Sequence, residues 1–455
     1  MASFTLDEAL RATGAAVENP APVIFADIVT DTRRITPGAL FVALQGERFN
    51  GDDFAVEAVN KGAAGVLVSA GCAAKKLTGL TCPVLHVADP LRAYQALAHA
   101  WRMKFSLSVV AITGSNGKTT TSYLVRAILR HAGHRVGLIG TIQAMIEDEV
   151  LPTSNTTPDI IVLQQMLAEM RMRGIDTVVM EVSSHALALG RVAGIEFDTA
   201  VFTNLTQDHL DFHKTMKNYA LAKAHLFELV SAPGTKEGKT AVLNADDAAS
   251  ETMRAHTHCP VITYGVDHPA DLTAQDVQLA CDGMELTLMH GGKRLFHLHT
   301  GITGLFNVHN VLAAVGASLA EHVEAADIVA ALTAFTGVPG RFELVREGQD
   351  FAVIVDYAHT PDGMENVLRT ARAVTKGRII AVFGCGGDRD RTKRPIMGRI
   401  GAEMADIAIL TSDNPRTENP AAIVDEVERG VLPVIGDKPY EKIVDRRTAI
   451  FHAIG

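Results

Sequence analysis

Seven consecutive residues, Gly114-Ser-Asn-Gly-Lys-Thr-Thr120, carry the groups that grip a phosphate chain. Glycine lets backbone N–H groups turn inward and approach phosphate oxygens closely. Lys118 adds a point charge, and the Thr119 hydroxyl suits Mg2+. The apolar run Val109-Val-Ala-Ile-Thr113 precedes the turn, and Leu124 and Ile128 follow it at helical spacing. Strand, turn and helix together bring the positive end of a helix dipole to the same spot. The long form of this loop has glycine where this chain has Ile112, so the loop is a shortened variant. Such a loop binds a nucleotide without saying what the energy is used for.

Other polar residues stand at the ends of apolar runs, where open α/β sheets hold ligands. Glu181 closes Thr177-Val-Val-Met-Glu181, and His209 lies beyond Thr199-Ala-Val-Phe-Thr203. A carboxylate and an imidazole so placed can converge on a metal ion near Thr119. Asp356 ends Ala352-Val-Ile-Val-Asp356 and reads either as an acceptor for ribose hydroxyls or as a helix N-cap. Asp413-Asn-Pro-Arg416 follows Ile407-Ala-Ile-Leu-Thr411. It is a turn by composition, and its arginine can hold a carboxylate bidentately. His185 and His213 stand four residues after Glu181 and His209 with no His-Glu-x-x-His motif, and are read as structural. Lys223 sits in an alanine-rich helical stretch, which on spacing alone makes it a solvated surface charge.

Short apolar runs alternate with helical periodicity, so the scaffold is α/β with largely parallel sheets. Residues 1–103 contain strands at Ala39-Leu-Phe-Val-Ala-Leu44 and Gly65-Val-Leu-Val-Ser69 and a closing helix over 91–102. Residues 104–336 contain the phosphate loop. Thr336-Gly-Val-Pro-Gly340 has the punctuation of a linker and opens the block 337–455, with strands at 352–356, 379–383 and 407–411. A length of 455 residues suits three domains with separate cores. A net charge of −10 argues against broad binding to nucleic acid or anionic membrane. There is no run of 18 apolar residues, and the N-terminus has early acids in place of a signal-peptide core. Cys72, Cys82, Cys259, Cys281 and Cys385 form no C-x-x-C pair, which fits a reducing compartment. The expectation is a soluble cytoplasmic protein.

The loop Thr113-Gly-Ser-Asn-Gly-Lys-Thr-Thr120 resembles that of the Mur ligases and their folylpolyglutamate synthase relatives. Matches continue in order through Asn155-Thr-Thr-Pro158, Glu181-Val-Ser-Ser-His185, Thr203-Asn-Leu-Thr-Gln-Asp-His209 and Tyr219-Ala-Leu-Ala-Lys223. Phe306-Asn-Val-His-Asn310, Gly340-Arg-Phe-Glu343, Asp356-Tyr-Ala-His-Thr-Pro361, Gly384-Cys-Gly-Gly-Asp-Arg389 and Asp413-Asn-Pro-Arg416 complete the set. Asp31-Thr-Arg-Arg with Pro37-Gly-Ala-Leu-Phe-Val-Ala43 resembles the uridine-binding domain of the diaminopimelate-adding members, which the synthases lack. The resemblance implies three domains. Residues 1–103 would form a uridine-nucleotide-binding α/β domain, and 104–336 a central P-loop ATPase domain with a parallel sheet. Residues 337–455 would form a Rossmann-like domain that binds an amino acid.

The implied reaction is amide formation with ATP and Mg2+. A carboxylate of UDP-MurNAc-L-Ala-D-Glu attacks the γ-phosphate, and an amine of meso-2,6-diaminopimelate displaces phosphate from the resulting acyl phosphate. By resemblance Gly114, Ser115, Asn116, Gly117, Lys118, Thr119, Thr120, Arg341, Asn307 (at adenine) and Asp356 (at ribose) hold ATP. Lys118, Lys223, His209 and Arg341 form the catalytic set, and Thr119, Glu181, His209 and Lys223 the metal set. Lys223 would act as a carbamate, formed by adding CO2 to an amine kept neutral by a lowered pKa. Thr30, Thr32, Glu47, Arg48 and Phe49 fall on the uridine. Asn155, Thr156, Thr157, Ser183 and Arg191 fall on the diphosphate, sugar and peptide.

Arg389, Asp413, Asn414, Pro415 and Arg416 fall on the incoming amino acid. Arg416 would take the distal carboxylate of diaminopimelate; lysine lacks that group and would leave a buried arginine unpaired. A monomer is expected. Two departures are Leu189, where glutamine is frequent, and Thr32, where serine is common. Relatives continue beyond Arg446-Arg-Thr-Ala-Ile450 into a Gly-Lys-Gly-His-Glu stretch, whereas this sequence reaches Gly455 first. The competing readings are a lysine-adding ligase, a folylpolyglutamate synthase, a P-loop switch or motor, and a truncated, inactive nucleotide-binding chain.

Overall fold

Apolar runs without alternation become strands buried on both faces, as parallel sheets require. The computed structural model describes every residue except 1, 2, 47, 48, 103, 105, 153 and 154. Glu47 and Arg48, expected at the uridine, therefore lie outside the described residues. Two units are present: residues 1–110, 134–198 and 234–236, and residues 111–133, 199–233 and 237–455.

In the first unit a five-stranded sheet runs in the order Ala16–Glu18, Val84–Val87, Gly65–Ser69, Leu40–Val42, Ile28–Val29. Only the Ala16–Glu18 edge is antiparallel. The period of two divides its side chains between two apolar layers. Leu40, Leu67 and Leu85 pack with Phe25 in one layer, and Phe41, Val66, Val68 and Val84 form the other. Helix Pro90–Arg102 begins where its residue types dictate. Pro90 takes the first position and the Asp89 carboxylate accepts from Leu91 N (2.9 Å) and Arg92 N (3.2 Å). The same unit pairs Val136–Ile139 in parallel with Thr177–Glu181 and carries the hairpin Ala144–Ile146/Glu149–Leu151.

Strand Ser108–Thr113 leads from the first unit into the second. There Thr199–Phe202, Thr240–Asn244, Val261–Gly265 and the start of Leu272–Ala280 pair in parallel. The chain then turns antiparallel through Gly283–His290 and Lys293–Thr300, an extension absent from the sequence expectation. Its strands are half exposed, so they lack the continuous apolar runs that mark the parallel ones. Residues 352–356 also differ from expectation. Val353–Val355 pairs antiparallel with Glu343–Val345 in a two-stranded ribbon, and Val355 is 46% exposed. The last sheet is parallel, in the order Ile380–Phe383, Ile407–Leu410, Tyr440–Lys442. Its third strand, Tyr-Glu-Lys, carries no apolar run to betray it. Among the described residues no helix is long and apolar enough to cross a membrane.

Candidate active site

The fully buried residues 109–113 deliver the chain to the phosphate loop. Gly114 has φ 148° and Gly117 φ 84°, both in the range that glycine tolerates. A Cβ at Gly114 would overlap the Thr203 hydroxyl, and one at Gly117 the Asn310 side-chain oxygen. Asn204 holds the loop open from behind: its carbonyl accepts from Ser115 N and its side chain from Asn116 N, both at 2.9 Å. Thr203 Oγ1 donates to Asn116 O at 2.6 Å. Helix Lys118–His131 starts from Gly117 with no side-chain cap, which leaves its N-terminus suited to anionic oxygens.

Two lysine side chains meet on one carbonyl. Lys118 Nζ donates to Gly114 O (2.8 Å) and Ser115 O (2.9 Å), and Lys223 Nζ donates to Gly114 O at 2.7 Å. Lys223 is 1% exposed, inside helix Met216–Ser231, with its Nζ 4.4 Å from the centroid of the Tyr219 ring. The surface reading drawn from spacing is therefore wrong: an alanine-rich helix can bury its lysine when a neighbouring loop offers an acceptor. Burial, then the Lys118 charge, pushes the Lys223 amine well below its ordinary pKa, against a weaker pull from Asp208. Tyr219, to which the sequence reading gave no role, also bonds Ser115 Oγ at 3.0 Å. His213 stacks on the Tyr219 ring, and His209, at φ 54°, meets the same ring edge-on at 6.1 Å.

Arg341 Nη2 donates to Thr119 Oγ1 at 3.1 Å, and its guanidinium lies 4.8 Å over the Tyr357 ring. The Arg341 Nε is buried with no hydrogen-bond partner among the described residues, as a group that binds an anionic ligand would be. Asp356 is not a helix N-cap, because Thr360 caps helix Pro361–Val374. Its carboxylate instead ties Phe342 N and Ala358 N together at 2.7 Å each, and burial raises its pKa. Asn307 is 2% exposed, its amide spanning Thr303 O (2.8 Å) and Asn310 (2.9 Å). It thus backs the residue that faces Gly117. Asn116 Nδ2 donates to Asp362 Oδ2 at 2.7 Å.

In the first unit a second cluster assembles around Glu181, which is 1% exposed. Its carboxylate accepts from Thr141 N and Thr141 Oγ1, both at 2.9 Å, and Thr141 Oγ1 meets Thr156 Oγ1 at 3.1 Å. Thr157 Oγ1 bridges Glu181 O (3.0 Å) and Ser183 N (3.1 Å). Arg191 donates to Thr157 O at 3.3 Å and pairs with Asp159 at 3.0 Å. Thr141 escaped the sequence reading, though it ends strand Val136–Ile139 by two residues, a position that strand-end reasoning could have flagged. Asn155 is exposed in the loop beside Thr156, and Leu189 is 48% exposed. Near the uridine-type motif, Thr32 Oγ1 donates to Glu57 Oε1 at 3.0 Å, Thr30 is half-buried, and Phe49 is 60% exposed, edge-on to Phe54.

The loops after Ile380–Phe383 and Ile407–Leu410 face each other. Gly387 N donates to Asn414 O at 2.8 Å, and a Cβ at Gly387 would overlap Pro415 O. Arg416, at φ 48°, donates to Gly387 O at 2.7 Å, and Arg389 donates to Asp388 O at 3.1 Å. Arg416 and Asp413 are exposed. The expectation of a buried Arg416 is thus corrected, since a loop beyond a strand end sits at the water boundary.

The chain matches the family models Mur ligase family, catalytic domain (residues 25–102), Mur ligase middle domain (112–318) and Mur ligase, glutamate ligase domain (340–455). It is 45% identical over 440 residues to UDP-N-acetylmuramoyl-L-alanyl-D-glutamate–2,6-diaminopimelate ligase of Bacillus cereus, covering 96% of this chain and 87% of that one. A protein of the same name from Listeria monocytogenes is 45% identical over 432 residues, with 94% and 86% covered. A solved structure of a ligase of that name aligns at TM-score 0.67 and 31% identity, over 94% of this chain and 86% of the other. Folylpolyglutamate synthase of Mycobacterium tuberculosis complexed with ADP shares the fold, at TM-score 0.64 and 20% identity over 80% and 85%. The chain belongs to the Mur ligase family.

Proposed function

We propose that this chain joins meso-2,6-diaminopimelate to UDP-MurNAc-L-Ala-D-Glu with ATP, a step of peptidoglycan synthesis, as a cytoplasmic monomer of three domains divided at 1–103, 104–336 and 337–455. The observation that carries the reading is the meeting of Lys118 and Lys223 on the Gly114 carbonyl, beside a helix start that no side chain caps. The names of the relatives that are 45% identical support the choice of substrates.

The reaction begins with two anions approaching each other, so cations must surround the transferred group. With ATP in the loop, Lys118 leaves its carbonyl acceptors for phosphate oxygens. Arg341, already on Thr119 and with an Nε that has no partner among the described residues, turns to the same phosphates. A carboxylate oxygen of the dipeptide bonds to the γ-phosphorus and ADP departs; the amine nitrogen then bonds to the acyl carbon, phosphate leaves and the amine gives up a proton. Thr119, Glu181, His209 and a carbamate on Lys223 are the residues that would hold Mg2+, which would supply neutralisation of phosphate charge. The lowered pKa of Lys223 supports the carbamate, because only a neutral amine adds CO2. Asn307 and Asp356 serve the adenosine. Thr30, Thr32 and Phe49 serve the uridine, and Asn155, Thr156, Thr157, Ser183 and Arg191 the rest of the nucleotide. Asp413, Asn414, Pro415, Arg416 and Arg389 select the amine.

The test is phosphate release with ATP, Mg2+ and the dipeptide nucleotide, comparing diaminopimelate with lysine. Release that requires both the nucleotide and diaminopimelate is expected. Release that needs no dipeptide nucleotide would overturn the ligase reading, and equal use of lysine would overturn the amine assignment.

A further inference from the structure

Arg394 is the largest completely buried side chain among the described residues, and none of its surface reaches solvent. It lies in helix Lys393–Met404, and its hydrogen bonds run to Glu418, Glu426 and Gly386. Its Nη1 donates to Glu418 Oε2 (3.0 Å) and Glu426 Oε2 (2.8 Å), and its Nη2 to Glu418 Oε1 (2.7 Å) and Gly386 O (3.2 Å). One guanidinium therefore grips both loops that carry the amine-selecting residues.

The connection continues outward. Glu418 Oε1 accepts from Asp388 N at 2.6 Å, and the Asp388 carboxylate accepts from Thr417 N (3.0 Å) and Thr417 Oγ1 (2.8 Å). Asp388 and Arg416 both have positive φ, 51° and 48°, a region that side-chain-bearing residues seldom occupy without outside support. The Arg394–Glu418–Asp388–Thr417 chain of bonds is that support, and it ends one residue from Arg416. Arg391 adds a second cation on Glu426.

We infer that Arg394, through Glu418, is a positioning residue that sets the angle at which Arg416 and Arg389 meet the incoming amino acid, and so helps determine amine specificity. The inference rests on the proposed function for its ligand and on the hydrogen bonds alone for its geometry. A lysine in its place offers a point charge without the fork that spans two carboxylates and a carbonyl.

The experiment uses the full chain carrying Arg394→Lys and, as a milder variant that keeps side-chain size, Glu418→Gln. Amide hydrogen exchange of peptides spanning 384–389 and 411–418 should quicken by about tenfold in Arg394→Lys, while the phosphate-loop peptide stays within about twofold. KM for the amine should rise by about tenfold, with KM for ATP and for the dipeptide nucleotide within about twofold and kcat less affected than amine KM. Glu418→Gln should move the same quantities in the same direction by less, and it carries the test if Arg394→Lys fails to melt cooperatively. Unchanged exchange in the two loops, or all three KM values rising together, would overturn the inference. The amine preferred by the unsubstituted chain tests the proposed function, and the KM shift for whichever amine it takes tests this inference, so the two fail separately.

Discussion

The phosphate loop and the paired loops at 384–389 and 411–418 both carry cations, Lys118 in the first and Arg389 and Arg416 in the second, yet they are built in opposite ways. The first is seven contiguous residues whose shape follows from two glycines and a helix start. The second joins segments some 25 residues apart, and its left-handed residues are Asp388 and Arg416 rather than glycines. The contiguous loop takes its shape from its glycines and is braced from behind by Thr203 and Asn204. A split one needs a buried tie, which here is Arg394. Damage to the first should therefore abolish chemistry whatever the amine, and damage to the second should alter which amine is used.

Lys118→Met gives the sharpest test of that contrast. Its removal takes away the one loop cation of the phosphate site, and kcat should fall by about a thousandfold with diaminopimelate and lysine alike. Single-turnover phosphate release measures this, and a loss confined to one amine would break the distinction. Arg416→Ala should act on the other side only. Losing a charge-assisted bidentate contact should raise KM for diaminopimelate by about 10- to 100-fold, with ATP affinity unchanged, as initial rates at varied amine and varied ATP would report.

The smallest effect concerns Lys223. Its folded pKa lies below the ordinary value of 10.5, so in CO2-free buffer the unfolded chain binds a proton that the folded chain refuses. Stability then rises with pH between the two values, because the unfolded state holds more protons throughout that window. Lys223→Met removes this dependence. Thermal melts should show the Met variant gaining most on the unsubstituted chain at low pH, with the gap closing as pH climbs toward 10.5. A gap independent of pH would mean that Lys223 keeps its proton in the folded chain.

Much of the site was legible because strand-end positions and short motifs are local properties. Glu181, Thr156, Thr157, Ser183 and Arg191 come together in one unit, and Lys118, Thr119, Lys223 and Arg341 in the other. Thr141 stands in no motif, and the motif that includes Tyr219 gives that residue no role, because neither hydroxyl is informative until its partner, Glu181 or Ser115, is seen. The antiparallel strands at 272–300 and the Tyr440–Lys442 strand were missed because half-exposed strands lack a continuous apolar run.

The sequence by itself determined the strand–loop–helix of the phosphate site, since glycine placement, a buried apolar run and helix periodicity all act within about 20 residues. It also determined the family, through motifs in a fixed order. Tertiary structure alone decided that Lys223 is buried and bonded to Gly114, that Asp356 bridges two backbone amides instead of capping a helix, and that Arg416 stands exposed. Those outcomes depend on which acceptor, donor or solvent a side chain meets across long stretches of chain. Neither spacing nor composition encodes such a meeting.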